Sequence, residues 1–106
     1  MIKIPLQSIP SQKLRIVLSG QNLTLRFFYR FGAMYADVYV GGTAVALGSI
    51  CRNRTAIVEN AGDKLSGNLF FIDMLGDTDP NYEQFGSRYV LMYVSASESL
   101  PAGLVV

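Results

Sequence analysis

Apolar side chains recur at every second position over much of this chain, which is the pattern of half-buried β-strands. Leu14, Ile16 and Leu18 would share one face of a strand over residues 13–18. A polar turn follows, and a second alternating run covers residues 23–30. The two runs predict a β-hairpin.

A second hairpin is predicted over residues 34–50. Its first strand alternates apolar residues with a half-polar stripe made of Tyr35, Asp37 and Tyr39. Gly41-Gly42 supplies the positive φ angles that a two-residue turn requires. The stripe is a candidate protein interface, because amphipathic side chains are enriched there. An ordinary solvated face is the alternative.

Both ends of the chain are apolar and interrupted by proline. Residues 1–6 predict a short first strand. Because Pro5 and Pro10 cannot donate backbone hydrogen bonds, this strand is expected at a sheet edge or across a neighbouring subunit. We therefore predict that segments 1–12 and 98–106 contact neighbouring subunits, and that deleting either leaves a folded domain.

Two further strands are predicted at residues 68–74 and 88–95, and the first of them is apolar on both faces. A strand covered on both sides has this pattern. Irregular loops are expected at 52–66, with one short turn of helix, and at 77–86. The whole predicts one all-β domain over residues 1–106, a small antiparallel barrel or sandwich of about six or seven strands.

The composition favours a protein that is built into an assembly. Half of the 106 residues are hydrophobic and 16% are charged, whereas soluble domains average about 25% charged residues. Burial of surface against other subunits explains this deficit, as exposed apolar patches usually mark contact sites. A sticky monomer or a larger core is the alternative.

Catalytic groups are scarce. The chain has no histidine, so the commonest general base and the commonest metal ligand are both absent. Cys51 is the only cysteine; it cannot form an intrachain disulfide and is expected to be a small buried apolar residue. No apolar run approaches the roughly 20 residues that span a bilayer. We expect no enzyme activity, no cofactor and no membrane contact.

One acidic loop begins with the residue pattern of a calcium-binding loop. Asp77-Thr78-Asp79-Pro80-Asn81 places oxygen ligands at alternate positions, as an EF-hand loop does. Tyr82 then occupies the position that needs glycine, and Arg88 the position that needs glutamate. We interpret the segment as a proline-containing turn in which Asp side chains bond the backbone.

A binding module is the competing function. Arg26-Phe27-Phe28-Tyr29-Arg30 interleaves aromatic and basic residues, as platforms for single-stranded nucleic acid do. An OB-like nucleic-acid or oligosaccharide module would need a clustered basic or aromatic groove. The basic residues are dispersed along the sequence, so we predict no specific nucleic-acid site, although folding can still gather some of them.

The order of several segments is more informative than any single motif. The chain opens with Ile-Pro-Leu, a second proline and a glutamine within Ile4–Gln12. Tyr35–Val38 precedes a Gly-Gly turn, and Gly67–Asp73, Gly76–Tyr82 and Phe85–Leu91 follow. This succession resembles the phage baseplate plug family of cyanophage contractile tails.

The resemblance implies a structural protein of the virion, in the baseplate of a contractile tail. It would lie at the tube and hub end in several symmetry-related copies, contact hub, tube, sheath or wedge proteins, and be assembled in the host bacterial cytoplasm. Plugging the channel and bridging the other parts are both open. The side chains expected to make subunit contacts are Ile4, Pro5, Leu6, Pro10, Tyr35, Tyr39, Leu104 and Val105.

Overall fold

A computed structural model describes all 106 residues and contains seven β-strands in two antiparallel sheets. The only helical segment is a 3₁₀ turn at Tyr82–Gln84, and no helix is long and apolar enough to cross a membrane. The strands are β1 (Ile2–Ile4), β2 (Ser11–Leu18), β3 (Gln21–Arg30), β4 (Ala33–Val40), β5 (Thr43–Ile50), β6 (Asn68–Asp73) and β7 (Tyr89–Val94).

Strands β2 to β5 form one meander in sequence order. Three two-residue turns connect them, Ser19-Gly20, Phe31-Gly32 and Gly41-Gly42, and all six residues have positive φ. A primed turn needs this conformation, because its twist then matches that of the flanking strands. The two predicted hairpins are confirmed, and the middle turn joins them into a single four-stranded sheet.

The other sheet has the order β1-β7-β6 and is extended by irregular chain. Beside β6, the backbone N–H of Arg54 donates to Phe71 at 2.7 Å and that of Ile57 donates to Leu69 at 2.9 Å. Beyond that segment, Ala56 donates to the carbonyl of Val105 at 2.8 Å. The all-β sandwich is confirmed, and the two sheets do not close into a barrel.

The main core lies between the two sheets. Phe27 from β3 meets Phe71 from β6 edge to face, with ring centroids 5.5 Å apart. Phe85 stacks on the same Phe71 ring at 5.3 Å. Phe71 is fully buried, so the side chain at the centre of β6 holds both sheets and the loop before β7 together.

A smaller core covers the outer face of the three-stranded sheet. Phe70 is fully buried there with Ala56, Val94 and Leu104. Alternate residues of β6 therefore enter different cores, which confirms that this strand is covered on both sides. The apolar tail contributes Leu104 to this cover, so part of the tail packs on its own chain.

One expectation about the loops changes with the structure, and the expectation for Cys51 holds. The loop at residues 52–66 contains no helix, because backbone bonds hold residues 53–57 alongside β6 and the remainder forms turns and bends. The 3₁₀ turn lies in the second loop instead. Cys51 is buried as expected, with 1% of its surface exposed, and burial raises the pKa of its thiol.

The expected result of terminal deletions also changes. β1 pairs with β7, Ile4 is 1% exposed and Leu104 is 7% exposed. Removing residues 1–12 or 98–106 would strip one of the cores, since buried apolar side chains contribute most of the folding free energy. Point substitutions on exposed side chains are therefore the proper test of subunit contacts.

We predict that Phe71→Ala lowers the free energy of unfolding by about 3–5 kcal/mol, because it leaves a cavity where both sheets and Phe85 meet. Phe31→Ala is the matched control: Phe31 is 93% exposed, so its loss should change the free energy by at most about 0.5 kcal/mol. Urea denaturation followed by tyrosine fluorescence measures both. Equal destabilisation by the two substitutions would contradict this description of the core.

Candidate interaction surfaces

The eight residues predicted for subunit contacts fall in three separate places. Tyr35 and Tyr39 are half-buried on the outer face of the meander sheet. The second place is the connection from β1 to β2, whose residues are exposed or half-buried. The third place is the tail, where Val105 is exposed. Ile4 and Leu104 are buried in the chain's own cores, so their side chains cannot face a neighbour. The accessible residues of the connection are Pro5, Leu6 and Pro10.

The meander sheet gathers basic side chains that are far apart in sequence. Lys13 is paired with Arg26 across β2 and β3, while Arg15 and Arg30 lie on the same outer face, since alternate residues of a strand share a face. All four side chains are exposed. We call this surface the basic face, and define it by Lys13, Arg15, Arg26 and Arg30. The basic residues are dispersed along the sequence, and strand register brings four of the nine together on this face.

An aromatic pair lies within the basic face and is already covered by cations. The guanidinium of Arg26 is 4.5 Å from the ring centroid of Phe28, and that of Arg30 is 5.2 Å from it. Tyr35 stacks on Phe28 with ring centroids 5.8 Å apart. The ring of Phe28 thus fixes both guanidinium groups by cation–π contact and is not free to stack on a base.

The single carboxylate of this face shapes the sheet. Asp37 is 9% exposed; one of its oxygens accepts from Arg26 Nη1 at 3.1 Å and the other from the backbone N–H of Gly48 at 2.7 Å. Gly48 has a φ of +59° and lies where the pairing of β4 and β5 shifts register. The carboxylate holds this bulge, and only Arg26 of the basic face has an intrachain ion pair.

A second carboxylate organises the end of β6. Asp73 ends β6 with its side chain fully buried, and its two oxygens accept from Arg88 Nε at 2.8 Å and Nη2 at 2.9 Å. They also accept from the backbone N–H groups of Leu75 and Thr78 and from the Thr78 hydroxyl, each at 3.0 Å. The Arg88 guanidinium holds the pKa of Asp73 well below its usual value of 3.8, while burial opposes that shift.

Hydrogen bonds from Asn53 hold the acidic loop in place. Asn53 Nδ2 donates to Asp77 at 2.8 Å, and the Asn53 backbone N–H donates to Asp79 at 3.0 Å. The Asn81 side chain accepts from the backbone N–H of Glu83 at 3.0 Å and begins the 3₁₀ turn. The segment is a turn, as interpreted, but the local bond to its backbone comes from Asn81, whereas Asp77 and Asp79 bond the distant Asn53.

Three large apolar side chains are exposed at one end of the sandwich. Phe31 is 93% exposed, Leu75 76% and Met74 60%. β3 and β6 run in the same direction, since Gln21 at the start of β3 bonds Ser66 just before β6, and Phe27 meets Phe71 further along both strands. Their ends therefore emerge together. We call Phe31, Met74 and Leu75 the apolar end; alternation could not single them out, because each lies in a turn.

At the other end, an open groove of about 770 Å³ separates the loop at residues 60–68 from the segment at 94–100. Phe70 and Val94 line it together with Leu100 and Val106. Two carboxylates, Asp63 and Glu98, also line the groove, and Glu98 is paired with the amino terminus.

We predict that the stability of the protein falls below about pH 4, because the lowered pKa of Asp73 means that folding favours its charged form. The contribution is complete above the unfolded pKa and is lost as the pH falls toward the folded value. Asp73→Asn should lower the melting temperature at pH 7. It should also make the fall in melting temperature at acid pH smaller than in the wild type. Glu98→Gln is the control: the amino terminus lowers the pKa of Glu98 to about 2, but this pair is a third exposed and should contribute little. Equal acid declines in wild type and Asp73→Asn would contradict the assignment.

Comparison with known proteins supplies a family. Residues 1–97 match the family described as cyanophage baseplate Pam3 plug gp18. No curated protein matches the chain. The match covers all seven strands and the acidic loop, and it ends within the segment that leads to the tail. The resemblance seen in the sequence is therefore confirmed, and the chain belongs to the cyanophage baseplate plug family.

Proposed function

We propose that the chain is a structural part of a contractile-tail baseplate, present in several symmetry-related copies and assembled in the host bacterial cytoplasm. The observation that carries this proposal is the family match over residues 1–97. Family membership supports a place in the virion and contacts with other tail proteins. The finer role argued next rests on the surfaces of the chain.

Bridging of hub, tube and sheath components suits these surfaces better than passive filling of a channel. The basic face covers the outside of the meander sheet, whereas the apolar end lies beyond the last residues of β3 and β6. Two distinct surfaces allow two partners to bind at the same time. A plug held only by its fit to a channel would need neither a gathered charge nor an exposed apolar end.

The apolar end supports burial in an assembly. Phe31 has a φ of +51°, a conformation that costs a non-glycine residue roughly 1–2 kcal/mol. The Phe31 side chain makes almost no packing contact within the chain that would offset this cost. A phenylalanine placed this way is explained if a neighbouring subunit covers it, since exposed apolar patches mark contact sites.

A structural role also fits the state of the reactive groups. Asp73 and Glu98, the carboxylates with lowered pKa, are both engaged by cations. Cys51 is buried, and its sulfur donates to the carbonyl oxygen of Ser49. Strongly shifted groups in an active site normally face a cleft, whereas these groups hold parts of the chain together.

The OB-like binding module remains the second candidate function because of the basic face. Nucleic-acid platforms of this kind present aromatic rings to the bases, and here the Phe28 ring is occupied by Arg26, Arg30 and Tyr35. The structural role is therefore the better supported of the two.

We predict that Phe31→Ser/Leu75→Ser folds normally and enters tails at least roughly tenfold less often, because the apolar end loses area that a partner would bury. A phage lacking its own copy is complemented with each variant, and purified tails are assayed by quantitative immunoblot. Leu47→Ser is the control, since Leu47 is similarly exposed, at 65%, but lies on β5. Equal incorporation of the wild-type chain, the double variant and Leu47→Ser would refute the role of the apolar end. Absence of the wild-type chain from tails would refute the baseplate role.

A further inference from the structure

Charge is divided unequally between two surfaces of the chain. The outer face of the meander sheet carries four cations and one carboxylate, Asp37, and so has a net charge of +3. Because the whole chain has a net charge of +1, all remaining residues together carry −2. This separation of charge cannot be read from the sequence, because it depends on strand register.

Three of the five carboxylates that form no ion pair lie in the acidic loop, which we define by Asp77, Asp79 and Glu83. All three side chains are exposed. The chain forms only three ion pairs, Met1 with Glu98, Arg26 with Asp37, and Arg88 with Asp73. Lys13, Arg15 and Arg30 on one surface, and the three carboxylates on the other, therefore have no ionic partner within the chain.

The two charged surfaces lie on different sides of the meander sheet. Tyr82, inside the acidic loop, packs edge to face against Tyr29 with ring centroids 5.3 Å apart. Tyr29 follows Phe27 on the inner face of β3, whereas Arg26 and Arg30 point outward. One copy can therefore offer its basic face to one neighbour and its acidic loop to another.

We propose that the basic face of one copy binds the acidic loop of a second copy. Such a contact is heterologous, running head to tail, and it generates a ring when the rotation between copies closes. The partner is the chain itself because it carries a matching number of unpaired charges of opposite sign. This contact needs only copies of the chain, so its failure would leave the role in the baseplate untouched.

The contact is weak and sensitive to salt. Four strands about 4.8 Å apart and about 25 Å long present roughly 350 Å², well below the about 800 Å² per partner of a standard interface. Exposed ion pairs contribute little each and are screened at high ionic strength. The contact is therefore expected at high protein concentration and low salt, and would be reinforced by other contacts in an assembly.

The experiment measures self-association of the full chain by sedimentation equilibrium at about 50 mM and about 500 mM salt. Lys13→Glu/Arg15→Glu reverses charge on the basic face, and its matched control Lys3→Glu/Lys64→Glu makes the same change in net charge elsewhere. Melting temperature confirms that each variant folds.

The acidic loop is tested by Asp77→Asn/Asp79→Asn/Glu83→Lys, in which the asparagines keep an oxygen acceptor for Asn53. Its control, Glu59→Lys/Asp63→Lys, makes the same change in net charge at exposed residues outside the loop.

We expect each test variant to lose at least roughly tenfold in association constant at low salt, and each control to retain it. An equimolar mixture of the two test variants should form a dimer, because the intact loop of one still meets the intact face of the other. A monomeric wild type, equal losses in the controls, or a mixture that stays monomeric would overturn the proposal. So would binding of a single-stranded oligonucleotide that Lys13→Glu/Arg15→Glu abolishes while self-association survives.

Discussion

The structure depends on a strand that must be covered on both faces. β6 sends Phe71 into the core between the sheets and Phe70 into the smaller core beneath the tail. Neither sheet alone can bury both rings. The meander therefore packs on one side, while the irregular segment beside β6 and the tail cover the other. Asp73 fixes the end of the same strand through Arg88 and Thr78, so the position of the loop before β7 also follows from β6.

Local patterns predicted the two hairpins of the meander, and long-range pairing explains what they missed. Alternation and the Gly41-Gly42 turn are properties of neighbouring residues, so both hairpins could be found from sequence. The segment beside β6 is held by backbone bonds from Arg54 and Ile57 to residues more than ten positions away, and no periodicity records such bonds. The candidate surfaces divide in the same way. Tyr35 and Tyr39 were placed correctly on a shared face, but their basic neighbours come from two other stretches of chain, and only the register of β2, β3 and β4 brings them together.

Charged groups serve two distinct purposes in this molecule. Asp37, Asp73 and Arg88 are at least partly withdrawn from water, and each is held by several polar partners, as buried charges must be. They shape a bulge and a loop. Lys13, Arg15 and the acidic loop remain in water without ionic partners, where charges are inexpensive to keep. On β2, an edge strand of its sheet, these cations also discourage unwanted pairing with other strand edges.

The burial of Cys51 has a practical chemical consequence. Thiol-directed reagents attack the thiolate, and the Cys51 sulfur is both shielded from solvent and held in its protonated form. A cysteine introduced on an exposed turn would therefore react with a maleimide dye, whereas the buried Cys51 would not. Fluorescent or spin-label probes can be attached at single chosen points without first removing any residue from the core.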